Sequence, residues 1–244
     1  MIIKLSGGLD RVLMLAPVLR EYKFRNPYEK IYFETDYPLF TCEEADKAAV
    51  FIDRKDESVL VLDIFNEISE DMHIMDLYAS IILGDTRIRN RMIDNIPYLN
   101  NLRKVASPNI VIDSRFVKMV PDLEKYGKVE VAEYHNSGLD NILFIGYDDD
   151  LSYLAMTSNT PMIMIFDKRS PKYVRPFRKN IFFEAIEPSY EVCSSAPFCL
   201  RKNGLIEFKN VYGVKCDNET PFACENYVTY EMVMESVKRI LHEC

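Results

Sequence analysis

Short apolar runs alternate with helix-sized segments along most of this chain, and turn residues punctuate each change. Ile2-Ile3-Lys4-Leu5 predicts a strand, and Ser6-Gly7-Gly8 breaks it before a helix over residues 10–24 that Asn26-Pro27 stops. A second strand is predicted over residues 30–34, a shorter helix near 43–49 and a third strand over 58–63, whose Val-Leu-Val-Leu run suits burial on both faces. Residues 70–94 are predicted to be helical, with Met72, Met75, Leu77, Ile81 and Ile82 on the apolar face. That Met-rich stripe reads as core, not as a cofactor pocket.

Pro97, Asn100 and Asn101 mark a boundary, after which strands are predicted over residues 109–113, 129–133, 141–147, 162–166 and 181–183. The closing helix is placed at residues 230–242, with Thr229 as its N-cap and Met232, Val233, Val237, Ile240 and Leu241 on one side. Strand and helix in regular alternation predict an α/β fold of two compact Rossmann-like domains facing a cleft, residues 1–103 and 104–244. No internal repeat or low-complexity tract interrupts the series.

Composition narrows the function classes. The chain carries 30 basic and 38 acidic residues, a formal charge of -8, so bulk charge does not make it a polyanion binder. One segment runs against that balance: Lys168, Arg169, Lys172, Arg175, Arg178 and Lys179 fall together with no acidic residue between them, interleaved with Tyr173 and Phe177. It predicts an anion-binding loop, and its aromatic residues also suit a nucleic-acid backbone with stacked bases. Arg87, Arg89, Arg91, Arg103 and Lys104 form a looser basic group. The N-terminus offers no signal-peptide apolar core, no apolar run is long enough to span a membrane, and the cysteines are unevenly placed; together these predict a cytoplasmic protein.

Two loops are candidates for ligand binding. Gly7-Gly8 closes the first strand, where a doubly wound sheet carries its ligand loop. Residues 148–171 place a polar turn, a short helix, a Thr-Pro break and a buried strand in succession, and a turn at a helix N-terminus favours an anion such as a diphosphate. Asp148-Asp149-Asp150 would repel that anion unless a cation or a basic side chain intervenes.

The second loop resembles the ADP-heptose:lipopolysaccharide heptosyltransferases, glycosyltransferase family nine, whose members read D-[ST]-G-x-x-H-x-A-x(5)-P before an apolar strand. Asp148, Ala155 and Pro161 keep the spacing, while Asp150 stands at the family glycine and Tyr153 at the family histidine. Residues 6–19 resemble the family opening S-L-G-D-x-(apolar)3-x-P, with Asp10 one position from the family aspartate, whose place Arg11 takes. Lys118-Met-Val-Pro121 resembles K-x-W-P without its aromatic residue.

This resemblance implies a GT-B type inverting glycosyltransferase whose co-substrate is a nucleotide diphosphate sugar and which needs no cofactor. By the same likeness Gly7, Gly8, Lys118, Asp148, Asp149, Asp150, Ser152 and Tyr153 bind the donor, with Glu133 near its ribose. Asp10 is then the general base, or the group orienting the acceptor hydroxyl. The stretch between Lys118 and Asp148 is shorter than the family norm, so a helix and a strand are expected to be missing or reduced. Lys168, Arg169, Lys172, Arg175 and Arg178 are assigned to an anionic acceptor. Lipopolysaccharide core is the family default, and a hydroxymethylated base of bacteriophage DNA is admitted by analogy of fold alone. The alternative is a non-catalytic sugar-nucleotide or glycan binder derived from that fold.

No catalytic metal is expected. Cys193, Cys199, Cys216 and Cys224 cluster late and resemble cysteines that bind iron in some family members, yet they lack a C-x-x-C element and read as reduced thiols. His73, His135 and His242 share no ligand spacing. Elemental analysis of protein purified without added metal should therefore find no stoichiometric zinc or iron. One equivalent per chain, lost in Cys193→Ser or Cys216→Ser, would overturn that expectation.

Overall fold

The computed structural model describes residues 2–5, 8–29, 31–35, 59–62, 72–93, 109–166, 171, 175–178, 181–187 and 228–242. The helix predicted near residues 43–49, the boundary at 97–101, Gly7, Lys168, Arg169, Lys172 and the four late cysteines lie outside that set. The chain divides into two compact units, Met1–Lys104 with Val174–Lys179, and Val105–Tyr173 with Asn180–Cys244. Both are built on parallel sheets, so the fold is α/β.

In the first unit β1 (Ile2–Leu5) lies between β2 (Tyr32–Thr35) and β3 (Val59–Leu62), with Ile3 opposite both Phe33 and Leu60. Helix α1 (Leu9–Arg25) is buried continuously from Leu9 to Leu19 and packs on α2 (Ile74–Leu83). The predicted helix over residues 70–94 is a correction. It stops at Gly84, whose φ of 73° is left-handed and ends a helix at little cost only because glycine has no Cβ.

Beyond Gly84 the chain is non-helical and is stapled to α1 by ion pairs. Arg25 takes Asp85 through both terminal nitrogens at 3.1 Å, and the Arg89 Nε donates to Glu21 at 2.9 Å. Burial opposes the charge on Glu21, but Arg89 and Arg25 hold its carboxyl below the ordinary value. His73 caps α2: its Nδ1 accepts from the Met75 N–H at 3.1 Å, leaving Nε2 to donate to the Arg175 carbonyl at 3.1 Å. Phe177 meets the His73 ring edge-on at 5.2 Å, and its carbonyl accepts from the Ile93 N–H. Residues 174–179, which the sequence reading assigns to the second domain, thus belong to the first unit.

Among the described residues the second unit holds five parallel strands in the order β5-β4-β6-β7-β8. They are β4 (Asn109–Ile112), β5 (Lys128–Val131), β6 (Leu143–Tyr147), β7 (Met162–Ile165) and β8 (Phe183–Ile186). Every residue of β4, β6 and β7 is buried, whereas the edge strands β5 and β8 are partly exposed. This is why the central strands read as unbroken apolar runs. β8 falls later than the predicted 181–183 because its register is set by Phe183 opposite Met162.

Period-two alternation divides the core. Ile110, Ile112, Leu143, Ile145, Ile163 and Ile165 point to one face, where Val233, Met234, Val237 and Ile240 of the last helix cover them. That helix spans Tyr230–His242 as predicted, and the Thr229 hydroxyl accepts from the Met232 N–H at 3.3 Å. Between β4 and β6 the helices are reduced to single turns, Val120–Leu123 (α3) and Tyr134–Ser137 (α4), ahead of α5 (Asp150–Met156). The helix Tyr230–His242 is α6.

On the opposite face α5 approaches β6 closely at Gly146. A Cβ added there would stand 2.5 Å from both the Phe144 ring and the Ser152 hydroxyl. Gly146→Ala is accordingly expected to destabilise the fold by about 1 to 3 kcal/mol through overpacking. Urea titration measures this, and an unchanged midpoint would show that α5 can move off the sheet without loss.

Candidate functional site

Strand order in the second unit reverses direction between β4 and β6, since β5 lies to one side of β4 and β7 to the other side of β6. In open parallel sheets, such a switch point leaves a crevice outside the carboxyl ends of the two strands, where ligands bind. The first unit has the same arrangement around β1, with β2 and β3 on either side. The residues following β4 and β6 therefore stand at the mouth of that crevice.

After β4 comes Asp113, whose backbone N–H still bonds the Ile145 carbonyl at 2.8 Å and whose carboxylate accepts from the Arg115 N–H at 2.8 Å. That cap starts a 3-10 helix, Ser114–Met119, which ends with Lys118 exposed on its last turn. Lys118 makes no ion pair among the described residues. After β6, the Asp148 N–H bonds the Ile165 carbonyl, and Asp149 caps α5 by accepting from the Ser152 N–H at 3.2 Å.

Arg115 joins the two turns. Its Nε and Nη2 grip Asp113 at 2.7 and 2.8 Å, the same Nη2 reaches Asp149 at 3.1 Å, and the guanidinium lies 3.5 Å over the Tyr147 ring. Tyr147 in turn stacks on Phe116 at 5.3 Å. Burial works against charge on Asp113, yet the Arg115 side chain and backbone N–H hold that carboxyl below its ordinary value. Asp149 goes the other way: burial raises it, and Asp113 and Asp148 add to the rise in spite of Arg115 and the Ser152 N–H.

The predicted donor residues divide by exposure. Asp149 and Asp150 are partly exposed on the turn. Ser152 and Tyr153 face the interior: the Tyr153 hydroxyl, on a side chain 1% exposed, donates to Asp148 at 2.7 Å, and the Ser152 hydroxyl has no partner among the described residues. Glu133 is exposed at the head of α4, paired with His135 at 3.1 Å. In the first unit Gly8 caps α1 with extended backbone, and Asp10 and Arg11 are buried in the first turn. Of the two described acceptor-segment arginines, Arg175 is exposed and Arg178 half-buried.

Asp113 and Arg115 escaped the sequence reading. Their local signal was an Asp-Ser-Arg triplet directly after a strand, the pattern of a capped turn. An open cleft of about 730 Å³ lined by Glu21, Phe24, Arg25 and residues 86–89 is distinct from this site. Its arginines are already paired with Glu21 and Asp85. No described helix is long and apolar enough to cross a membrane.

No family model matches the sequence, and no curated protein matches it. Solved structures do. The iron-containing dodecameric glycosyltransferase TibC from enterotoxigenic E. coli aligns with 99% of this chain and 76% of its own at a TM-score of 0.63 and 14% identity. A family 9 glycosyltransferase from Veillonella parvula aligns over 100% of this chain and 97% of its own, with a TM-score of 0.56 and 12% identity. The E. coli heptosyltransferase WaaC, solved with ADP, gives 0.53 and 11% over 87% of this chain and all of its own. What they share with this chain is the fold.

Proposed function

We propose that this chain is an inverting glycosyltransferase that moves a sugar from a nucleotide diphosphate sugar to a hydroxyl acceptor. The observation that carries the proposal is the conjunction at one switch point of an exposed lysine, Lys118, and the Asp148–Asp150 turn, in a fold shared with heptosyltransferases. One of those structures, TibC, was solved with ADP-D-β-D-heptose and the other with ADP.

In this reading Lys118 faces the diphosphate, whose charge grows as the bond to the anomeric carbon breaks, and a compact ammonium is suited to that role. Arg115 offsets part of the carboxylate charge that would otherwise repel the same group. Ser152 and Tyr153 act from beneath the turn, one packed at Gly146 and the other holding Asp148. Glu133, at the end of the neighbouring strand, takes the ribose. Gly7 and Gly8 bind the donor, and Asp10 serves the acceptor, accepting the hydroxyl proton as the oxygen attacks from the face opposite the leaving diphosphate. The acceptor is an anionic saccharide, and the cations of residues 168–179 bind it.

Two substitutions test the assignment. Lys118→Ala should weaken donor binding by about 1.5 to 3 kcal/mol, the worth of a charge-assisted bond. Unchanged affinity removes the lysine from the site. Asp10→Asn should leave donor binding intact and slow transfer ~100-fold or more, as loss of a general base does. Turnover near the wild-type rate places the base elsewhere, and a wild-type protein that binds donor but never releases nucleoside diphosphate is a binder.

A further inference from the structure

We infer that Asp149 takes up a proton when a nucleotide diphosphate sugar binds, so that the donor's charge is met by protonation of the turn as well as by Lys118. This rests on the donor site proposed above. One guanidinium serves the carboxylates around it unevenly. Asp113 has three N–H donors from Arg115, all within 2.8 Å. Asp148 is shut in and holds the Tyr153 hydroxyl. The Asp149 Oδ2 has only the longer bond to Arg115, and its carboxyl lies within hydrogen-bonding reach of Asp113.

Among the described residues, the charged groups facing Asp149 are Asp113 and Arg115 from the turn after β4, with Asp148 and Asp150 flanking it on its own turn. Asp113 and Asp149 already share the one guanidinium of Arg115. A diphosphate adds two negative charges, and Arg115 cannot turn to them without releasing Asp113. Protonating Asp149 resolves the conflict. The proton comes from solvent and sits on Oδ2, whose O–H then donates to Asp113, while the Arg115 Nη2 hydrogen that had served Asp149 becomes free for a phosphate oxygen. Burial and the neighbouring carboxylates already raise Asp149 in the free protein, the direction in which a bound anion would move it further.

The sign follows from linkage. A bound anion raises the Asp149 pKa further, so affinity is constant below the free-state pKa, falls as pH rises between the free and bound values, and levels off above both. Within that window one linked proton changes affinity by up to about tenfold per pH unit.

ADP-heptose is a suitable probe, with UDP-glucose as a second, because a diphosphate diester keeps its two charges over the whole range. Binding is followed by calorimetry from about pH 4 to about pH 8, in pairs of buffers that differ in ionisation enthalpy. Wild type should absorb up to one proton per donor bound. Asp149→Asn, whose side-chain oxygen still caps the Ser152 N–H, should absorb none and bind more tightly at the alkaline end. Asp150→Asn should keep the uptake. Donor binding without proton uptake, or uptake that persists in Asp149→Asn, overturns the inference and leaves the donor site standing. Absence of binding by either probe removes the donor site and the inference with it.

Discussion

The candidate site depends on a single guanidinium. Strands β4 and β6 are neighbours in the sheet, so the turns that follow them end within reach of each other, and each turn begins with carboxylates. Without a cation between them, Asp113 and Asp149 would repel across a partly dry gap. Arg115 meets three demands at once: a two-pronged grip on Asp113, a bond to Asp149 and a flat face on Tyr147. A lysine could meet one of these, since it offers neither a planar fork nor a stacking surface. The positions of both turns are in this sense consequences of one side chain.

Behind the turns, packing sets the level at which they stand. Gly146 lets α5 settle onto β6, which carries Ser152 and Tyr153 inward and leaves Asp149 and Asp150 on the rim. Because Phe144, Gly146 and the following Asp148 alternate with Ile145 and Tyr147, the same strand serves two faces: one against α5, the other against α6. A change of register by one residue would exchange them. Register is held by both neighbours, with Ile145 opposite Ile112 on one side and Ile163 on the other.

How much of this was legible in the sequence follows from the range of each interaction. The central strands were, because burial on both faces leaves a continuous apolar run; the last helix was, because its stripe and its Thr229 cap are local. The helix over residues 70–94 was overextended because Ile88, Met92 and Ile93 continue an apolar look past Gly84, although ion pairs to α1 and not helical bonds hold that stretch. Arg115 was invisible for a related reason. Its cap is local, but the contact that gives it meaning spans 34 residues to Asp149, and no spacing rule reports that. Composition likewise could not say that residues 174–179 would use Phe177 and two backbone carbonyls to hold to the first unit while Arg175 stays exposed.

The two departures from the family motif that the second loop resembles now have a physical account. At the glycine position stands Asp150, which gives up backbone freedom and adds charge, and at the histidine position stands Tyr153, whose hydroxyl satisfies Asp148 from below. A tyrosine donates one hydrogen bond and stays neutral, whereas a histidine in its place would carry charge over part of the physiological range. The positive contribution a histidine could make is therefore absent from the turn itself and comes instead from the neighbouring one, through Arg115. Any anion accommodated here has to share that guanidinium with two carboxylates. For the diphosphate of the proposed donor, how closely backbone approaches phosphate then matters less than how the existing charge is redistributed.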